Sequence, residues 1–250
     1  MDQPKMMLPP VIGHRGAARF APENTLAGIR KAAGFGARMV EFDVQPTRDG
    51  IVVLMHDTKV NRTSNGAGPV ADMTYDQFSG LDAGSWFGAD FSGEPAPTLV
   101  EALRLCGELG LRANVEIKPD LPDVARAVDL VLKDVEAVWS FDASGPVISS
   151  FSPEVLRACR ERSSGIPLGV LVWKDKSWWQ ELAVDISAMS VHFSRRNLRK
   201  TDIETAIEAG LRVAAYTVND PQEARKLFGW GLTAVFTDDP AAILAVTDQG

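Results

Sequence analysis

Short apolar runs that favour β-structure alternate with helix-like segments along the chain. Nine runs predict strands, at residues 11–14, 39–44, 51–55, 113–118, 147–151, 168–172, 189–193, 212–218 and 234–237. Helix-like segments lie between most of these runs, at residues 25–36, 98–109, 123–138, 153–161, 177–183, 201–209 and 221–229. This alternation predicts parallel strands joined by helical crossovers.

One connection is too short for a helical crossover. Residues 45–50 separate the runs 39–44 and 51–55, and Asp49-Gly50 is a turn signal, so these two runs predict an antiparallel hairpin. Without the return arm of the hairpin, eight strands remain, which is the number in a (β/α)8 TIM barrel of the α/β class. A doubly wound open sheet of eight strands is the alternative.

An insertion follows the second barrel strand. It covers residues 46–97, is rich in turn-forming residues and ends at Pro95-Ala96-Pro97. Long ordered excursions from a rigid barrel usually shape a site. A chain of 250 residues has the length of an undivided α/β barrel, so we expect residues 1–250 to form one domain that contains this insertion.

The charge composition restricts the partners of the protein. Lys and Arg number 26 against 33 Asp and Glu, which gives a formal net charge of -7. The composition therefore supplies no basic field for nucleic acid or an anionic membrane, and an anionic substrate must be held by a metal or by a few placed cations. The oligomeric state is left open.

The remaining composition favours a cytoplasmic protein. The sequence contains no stretch of 18 apolar residues, so no membrane span is predicted, and the first ten residues have no apolar leader region. Cys106 and Cys159 lack the spacing of a metal site and are too few for a disulfide scaffold. We expect two reduced thiols, with one disulfide as the alternative.

Three carboxylates are predicted to meet at the carboxyl ends of two strands. In Glu41-Phe42-Asp43, the two-residue period of a strand directs both carboxylates to one face and Phe42 to the other. Glu116 and Lys118 repeat this spacing on the next barrel strand. Buried carboxylates are costly unless a cation or a proton neutralises them, so the pattern predicts a cation site.

The ligand types indicate which cation this is. Carboxylate oxygens suit Mg²⁺ or Ca²⁺, whereas zinc would be expected to recruit His or Cys. We therefore expect a divalent metal, Mg²⁺ or Ca²⁺, on Glu41, Asp43 and Glu116. Simple ion pairing between Lys118 and Glu116 is the alternative.

The three histidines of the chain, His14, His56 and His192, all fall at the ends of predicted strands. In a barrel the carboxyl ends of the strands form the active face. Arg15 follows His14, and we expect the chain to turn there so that its guanidinium faces a phosphate group. A salt bridge at the barrel rim is the alternative role for Arg15.

The motifs resemble those of one enzyme family. They include Gly13-His14-Arg15-Gly16, Pro22-Glu23-Asn24-Thr25, Glu41-Phe42-Asp43-Val44, His56-Asp57, Arg62-Thr63-Ser64-Asn65-Gly66, Glu116-Ile117-Lys118-Pro119 and Thr237-Asp238-Asp239-Pro240. In this order and at this spacing they resemble the glycerophosphodiester phosphodiesterases, and the compact insertion is similar to that of the small bacterial cytoplasmic members.

The resemblance implies a metal-dependent TIM barrel that hydrolyses glycerophosphodiesters to sn-glycerol 3-phosphate and an alcohol. It implies that His14 and His56 are the acid–base pair and that Arg15 and Lys118 contact the phosphate. It also implies attack by the substrate's own 2-hydroxyl and a cyclic phosphate that water then opens. We expect His56 to be the acid and His14 the base.

Some residues depart from the family pattern or have a smaller role in it. Tyr216 stands where many members carry Trp, and His192 matches a histidine that is not essential in the family. Glu23 and Asn24 are expected to fix a loop and cap a helix, and direct contact with the substrate is the alternative. Two other functions are the alternatives: a phospholipase-like barrel that stops at the cyclic product, and a phosphate-binding protein without catalysis.

Overall fold

The computed structural model describes residues 8–141 and 145–247, and its strands close into a barrel. The strands are β1 (Val11–Gly13), β2 (Met39–Pro46), β3 (Val52–Leu54), β4 (Arg112–Ile117), β5 (Val147–Ser150), β6 (Leu168–Val172), β7 (Ser190–Ser194), β8 (Arg212–Tyr216) and β9 (Ala234–Thr237). All except β3 are parallel to their neighbours, and β1 pairs with both β2 and β9. The predicted (β/α)8 barrel is therefore confirmed, and the open sheet is excluded.

Helices surround the barrel. They are α1 (Leu26–Gly34), α2 (Tyr75–Ser79), α3 (Leu99–Glu108), α4 (Val124–Glu136), α5 (Pro153–Arg162), α6 (Trp179–Asp185), α7 (Lys200–Glu208), α8 (Pro221–Gly229) and α9 (Pro240–Thr247). The sequence pattern did not indicate α9, because residues 240–246 are apolar almost throughout and show no polar face. None of the helices in the described ranges has the length and apolar character needed to cross a bilayer.

The hairpin of β2 and β3 is antiparallel, as predicted, and it brings His56 to the site. Gln45 and Pro46 pair with β3 beyond the last β4 partner of β2. The return arm then runs back towards the barrel, and the Met55 amide donates to the Asp43 carbonyl at 3.0 Å. His56 therefore lies at the active face, where it was expected, but this return of the chain brings it there, because β3 runs opposite to the barrel strands.

The segment between β3 and α3 contains α2 and three short 3₁₀ turns. It has its own small apolar cluster, which includes Val60, Val70 and Phe78. Its predicted bounds, 46–97, and the single-domain division of residues 1–250 remain predictions.

The main apolar core lies between the strands and the helices. Phe42 and Val44 pack there, so the predicted alternation on β2 is correct. Cys106 and Cys159 are buried as free thiols, which is the predicted reduced state.

His192 lies inside the barrel and not at its rim. Its side chain is fully buried on β7, with Nε2 at 2.8 Å from the Ser190 hydroxyl and its ring centroid 5.0 Å from that of Phe236. A Cβ on Gly169 would approach the imidazole to 2.7 Å, so glycine is needed beside this ring. His192 is a core residue, in agreement with its exclusion from the catalytic set.

Candidate active site

The three predicted carboxylates meet inside the carboxyl end of the barrel. Glu41 and Asp43 lie on β2, Glu116 lies on β4, and Asp43 is the register partner of Glu116. One oxygen from each of the three lies within 4.8 Å of the others, and all three side chains are buried. The two-residue period and the parallel register are together sufficient to form this cluster.

Two cations face the carboxylates. Lys118 Nζ lies 2.8 Å from Glu116 Oε1 and 3.2 Å from Asp43 Oδ1, and Arg15 Nε lies 3.3 Å from Asp43 Oδ2. Burial would raise the pKa of Asp43, but Lys118 and Arg15 outweigh it and hold that pKa well below its usual value. For Glu41, burial and the charge of Asp43 raise the pKa above the usual range. Without a metal, Lys118 and Arg15 thus offset only part of the negative charge of the three carboxylates.

The cluster has the chemistry of a site for a hard cation. Glu41 Oε2 accepts from the Arg15 amide at 2.9 Å, whereas Glu41 Oε1 is buried and has no hydrogen-bond partner among the described residues. A buried acceptor without a partner is costly, and a divalent ion would satisfy it. The three carboxylates could therefore hold a metal ion.

The chain turns at Arg15, as expected. Arg15 has φ 51° and Gly16 has φ 89°, and a Cβ on Gly16 would lie 2.5 Å from the backbone of Gly28. The turn directs the guanidinium of Arg15 towards Asp43 and also towards Glu23, whose Oε1 accepts from Nη1 at 2.7 Å. Arg15 therefore forms the ion pairs of its alternative role, and its contact with a phosphate remains a prediction.

His14 has a carboxylate partner that the sequence argument did not identify. Its Nδ1 lies 2.6 Å from Oδ1 of Asp238, which follows β9. Asn219 donates from Nδ2 to the other oxygen of Asp238 at 2.7 Å. Burial alone would lower the pKa of His14, but the hydrogen bond to Asp238 and the charge of Glu41 outweigh it, so this pKa is raised.

His56 has a comparable partner in the next residue. Its Nδ1 lies 2.6 Å from Oδ1 of Asp57, whose two oxygens also accept from Arg62, Oδ2 from Nε at 2.7 Å and Oδ1 from Nη2 at 3.1 Å. Arg62 donates two further bonds to Glu23, at 2.8 Å each. Burial lowers the pKa of His56, and the nearby charges of Arg15 and Lys118 act in the same direction.

Asn24 has a different role from the expected helix cap. Thr25 is the N-cap of α1, and its hydroxyl accepts from the Gly28 amide. Asn24 instead donates from Nδ2 to Asp43 Oδ2 at 2.9 Å and accepts from the Asp43 amide at 3.1 Å. Asn24 has φ 57°, a region that Asn enters more readily than most residues. It fixes the orientation of Asp43.

A cavity of about 120 Å³ adjoins the cluster inside the barrel mouth. Its lining includes His14, Arg15, Glu41, Asn114, Glu116, Phe151, Leu171, Tyr216 and Phe236. The hydroxyl of Tyr216 donates to the Val172 carbonyl at 2.8 Å, so this ring is fixed in the wall. The cavity combines an apolar wall with a charged entrance.

Comparisons with known proteins agree with this architecture. The model of the "Glycerophosphoryl diester phosphodiesterase family" matches residues 14–242. A glycerophosphodiester phosphodiesterase of Caldanaerobacter subterraneus subsp. tengcongensis is 32% identical over 240 residues, which are 96% of this chain and 98% of that protein. A phosphodiesterase structure from Oleispira antarctica, in complex with the product sn-glycerol 3-phosphate, is 33% identical with a TM-score of 0.93, over 97% of this chain and 98% of that one.

A third similar protein has also been solved as a crystal structure. It is a glycerophosphodiester phosphodiesterase of Agrobacterium tumefaciens, 28% identical, with a TM-score of 0.77 over 96% of this chain and all (100%) of that one. The resemblance and the enzyme class inferred from the motifs are thereby confirmed. The chain belongs to the glycerophosphoryl diester phosphodiesterase family.

Proposed function

We propose that this protein hydrolyses glycerophosphodiesters to sn-glycerol 3-phosphate and an alcohol. The observation that carries the proposal is the grouping of two carboxylate-held histidines, His14 and His56, around three buried carboxylates and two cations. The similar Oleispira antarctica structure contains sn-glycerol 3-phosphate as product, which supports the same reaction here. The substrate is a small molecule.

Glu41, Asp43 and Glu116 would hold the metal, for which we propose Mg²⁺ or Ca²⁺ because the donors are all carboxylate oxygens. A bound divalent ion supplies positive charge that offsets the negative charge of a phosphoryl group. Asn24 keeps Asp43 oriented as a ligand, since it bonds both the side chain and the amide of that residue.

Arg15 and Lys118 bind the phosphate in this proposal. In the structure both are paired with the carboxylates, so phosphate would share their remaining donors. Burial by itself would lower the pKa of Lys118, but Asp43 and Glu116 outweigh it and raise that pKa, so the ammonium stays charged. Two fixed cations stabilise the extra negative charge that develops on a phosphoryl group during displacement.

The two histidines differ in their surroundings, and we assign them different tasks. Within residues 8–141 and 145–247, the second side-chain partner of Asp238 is the neutral Asn219, whereas the charge of Asp57 is offset by Arg62. An imidazolium is therefore better stabilised at His14 than at His56. This favours His14 as the acid and His56 as the base, the reverse of the assignment expected from the sequence.

In the proposed sequence, His56 takes the proton of the substrate's 2-hydroxyl and the resulting alkoxide attacks phosphorus. The bond from phosphorus to the head-group oxygen breaks, and His14 gives a proton to that oxygen. Water then opens the cyclic phosphate with the proton transfers reversed. The glycerol unit occupies the 120 Å³ cavity, which has the volume of about four water molecules.

The cytoplasm is the proposed location, and the two free buried thiols are consistent with it.

Product analysis tests the proposal against the two other functions. Purified protein with Mg²⁺ or Ca²⁺ is incubated with a soluble glycerophosphodiester and followed by phosphorus NMR. The proposal predicts sn-glycerol 3-phosphate, with a cyclic phosphate that rises and then falls. A cyclic phosphate that persists indicates the phospholipase-like reaction, and an unchanged substrate indicates a binding protein.

A further inference from the structure

Asn114 is a buried polar residue to which the proposed reaction gives no task. It lies on β4, is only 1% exposed and lines the 120 Å³ cavity. Its Nδ2 donates to the buried Ser149 hydroxyl at 2.8 Å, which fixes the orientation of the amide. Its Oδ1 is buried and, within residues 8–141 and 145–247, has no hydrogen-bond partner.

The rest of the cavity does not provide this partner. Phe151, Leu171 and Phe236 contribute apolar wall, and the Tyr216 hydroxyl already donates its proton to the Val172 carbonyl. A buried carbonyl oxygen without a hydrogen-bond donor costs about 1–3 kcal/mol. The presence of such an oxygen on Asn114 therefore indicates a ligand that supplies the donor.

The position of Asn114 indicates which donor this is. Asn114 lies two residues before Glu116 on the same face of β4, about 6.6 Å back along the strand at roughly 3.3 Å per residue, and therefore deeper in the barrel. The phosphate-binding cations and histidines lie at the rim. A glycerol unit joined to phosphorus at the rim extends its far hydroxyl into the barrel, and the 2-hydroxyl stays near phosphorus.

We propose that Asn114 determines specificity for glycerol by accepting a hydrogen bond from its terminal hydroxyl, the one that neither carries nor attacks the phosphate. This inference rests on the proposed function and extends it from a reaction to a basis of substrate choice. A diester that lacks this hydroxyl leaves Asn114 Oδ1 buried without a donor, and a site built to bond a hydroxyl rejects analogues that lack it.

The test compares two substrates with one head group. One contains glycerol, and the other contains propane-1,2-diol, which keeps the attacking 2-hydroxyl and lacks only the terminal one. With added Mg²⁺ or Ca²⁺, the natural chain is expected to show a kcat/KM about 10- to 100-fold lower on the second substrate. In Asn114→Leu the ratio of kcat/KM on the glycerol substrate to kcat/KM on the propane-1,2-diol substrate is expected to fall towards one, because the acceptor is gone.

Leu171→Ala is the matched control, since it enlarges the same cavity and leaves the acceptor in place. It is expected to lower both values and keep their ratio. The inference is overturned if the natural chain treats both substrates alike, or if Asn114→Leu keeps the full ratio. If the natural chain hydrolyses neither diester, the proposed function fails instead.

A binding measurement keeps the inference testable without turnover and without a folded Asn114 variant. Calorimetry on the natural chain compares sn-glycerol 3-phosphate with the phosphate of propane-1,2-diol. The inference predicts about 10-fold tighter binding, or more, for the glycerol compound. Equal affinities would overturn it.

Discussion

His14 and Asp238 lie 224 positions apart in the chain, and Nδ1 of His14 lies 2.6 Å from Oδ1 of Asp238. The closure of the barrel brings them together, because Gly13 on β1 is the register partner of Thr237 on β9. With Nδ1 bound to the carboxylate, Nε2 is the nitrogen left for the substrate. The same logic applies to His56 and Asp57.

Asp238→Asn tests whether this carboxylate serves the imidazole. An amide can donate to Nδ1 and so favour the wrong tautomer, and it does not stabilise an imidazolium. We expect kcat to fall about 100-fold or more with KM nearly unchanged, by steady-state kinetics. Asp239→Asn is the control, because the Asp239 side chain pairs with Arg19 and the Ala242 amide and not with a histidine. The kcat of this control should stay near that of the natural chain. Similar losses in both variants would contradict a specific role of Asp238.

The division of labour between the histidines is testable with leaving groups. His14→Ala and His56→Ala should each lower turnover about 10²–10⁴-fold while binding of sn-glycerol 3-phosphate, measured by calorimetry, is retained. An aryl phosphodiester of glycerol needs little protonation of its leaving group. The variant that lacks the acid, His14→Ala, should therefore recover on the aryl substrate, and His56→Ala should not.

If only His56→Ala recovered its turnover on the aryl substrate, the assignment expected from the sequence, with His56 as the acid and His14 as the base, would be correct. Equal losses on both substrates would contradict any division of labour. Near-normal turnover of either variant would show that its histidine is not catalytic.

The carboxylate cluster should be costly to the metal-free fold. Glu41 is buried beside Asp43 and Glu116, so burial and like charges oppose its ionisation. Glu41→Gln removes the carboxyl group whose ionisation is opposed and keeps an oxygen that can accept from the Arg15 amide. In denaturant unfolding, we expect the free energy of unfolding of metal-free Glu41→Gln to equal that of the natural chain or to exceed it by up to about 3 kcal/mol. A clear loss of stability would contradict the cluster as a source of repulsion.

His192 should make stability depend on pH. Burial lowers its pKa from 6.5 to about 3, so between these values the unfolded chain binds one proton more than the folded chain. Stability due to this residue is fully present above pH 6.5 and falls as the pH falls, by about 2 kcal/mol between pH 6.5 and 5. Denaturant unfolding at several pH values should show that the free energy of unfolding falls more steeply with decreasing pH in the natural chain than in His192→Gln. Parallel curves for the two proteins would contradict it.

Local patterns were sufficient to predict the framework of the site. The two-residue spacing of Glu41 and Asp43, and of Glu116 and Lys118, indicates which side chains face inward. The alternation of strands and helices predicts parallel strands, for which a closed barrel was one of two possible arrangements. These features depend on neighbours in sequence. That is why the carboxylates and Lys118 lie together as expected.

The partners of these residues could not be predicted in the same way. The pairing of His14 with Asp238 depends on closure between the first and last strands, and the bond of Asn24 to Asp43 depends on a left-handed backbone at Asn24. His56 reaches the site only because β2 continues past the last residue paired with β4. Such contacts follow from tertiary geometry, which spacing along the chain does not encode.

Activity of metal-free protein before and after addition of a divalent ion tests the central claim most directly. Purified protein is treated with a chelator, freed of it by dialysis, and assayed on a soluble glycerophosphodiester with and without Mg²⁺ or Ca²⁺. Because Glu41, Asp43 and Glu116 are proposed as the ligands, we predict no hydrolysis without the ion and recovery with it in the natural chain, but no recovery in Asp43→Ala. Full activity of the metal-free protein, or normal recovery in Asp43→Ala, would contradict the account.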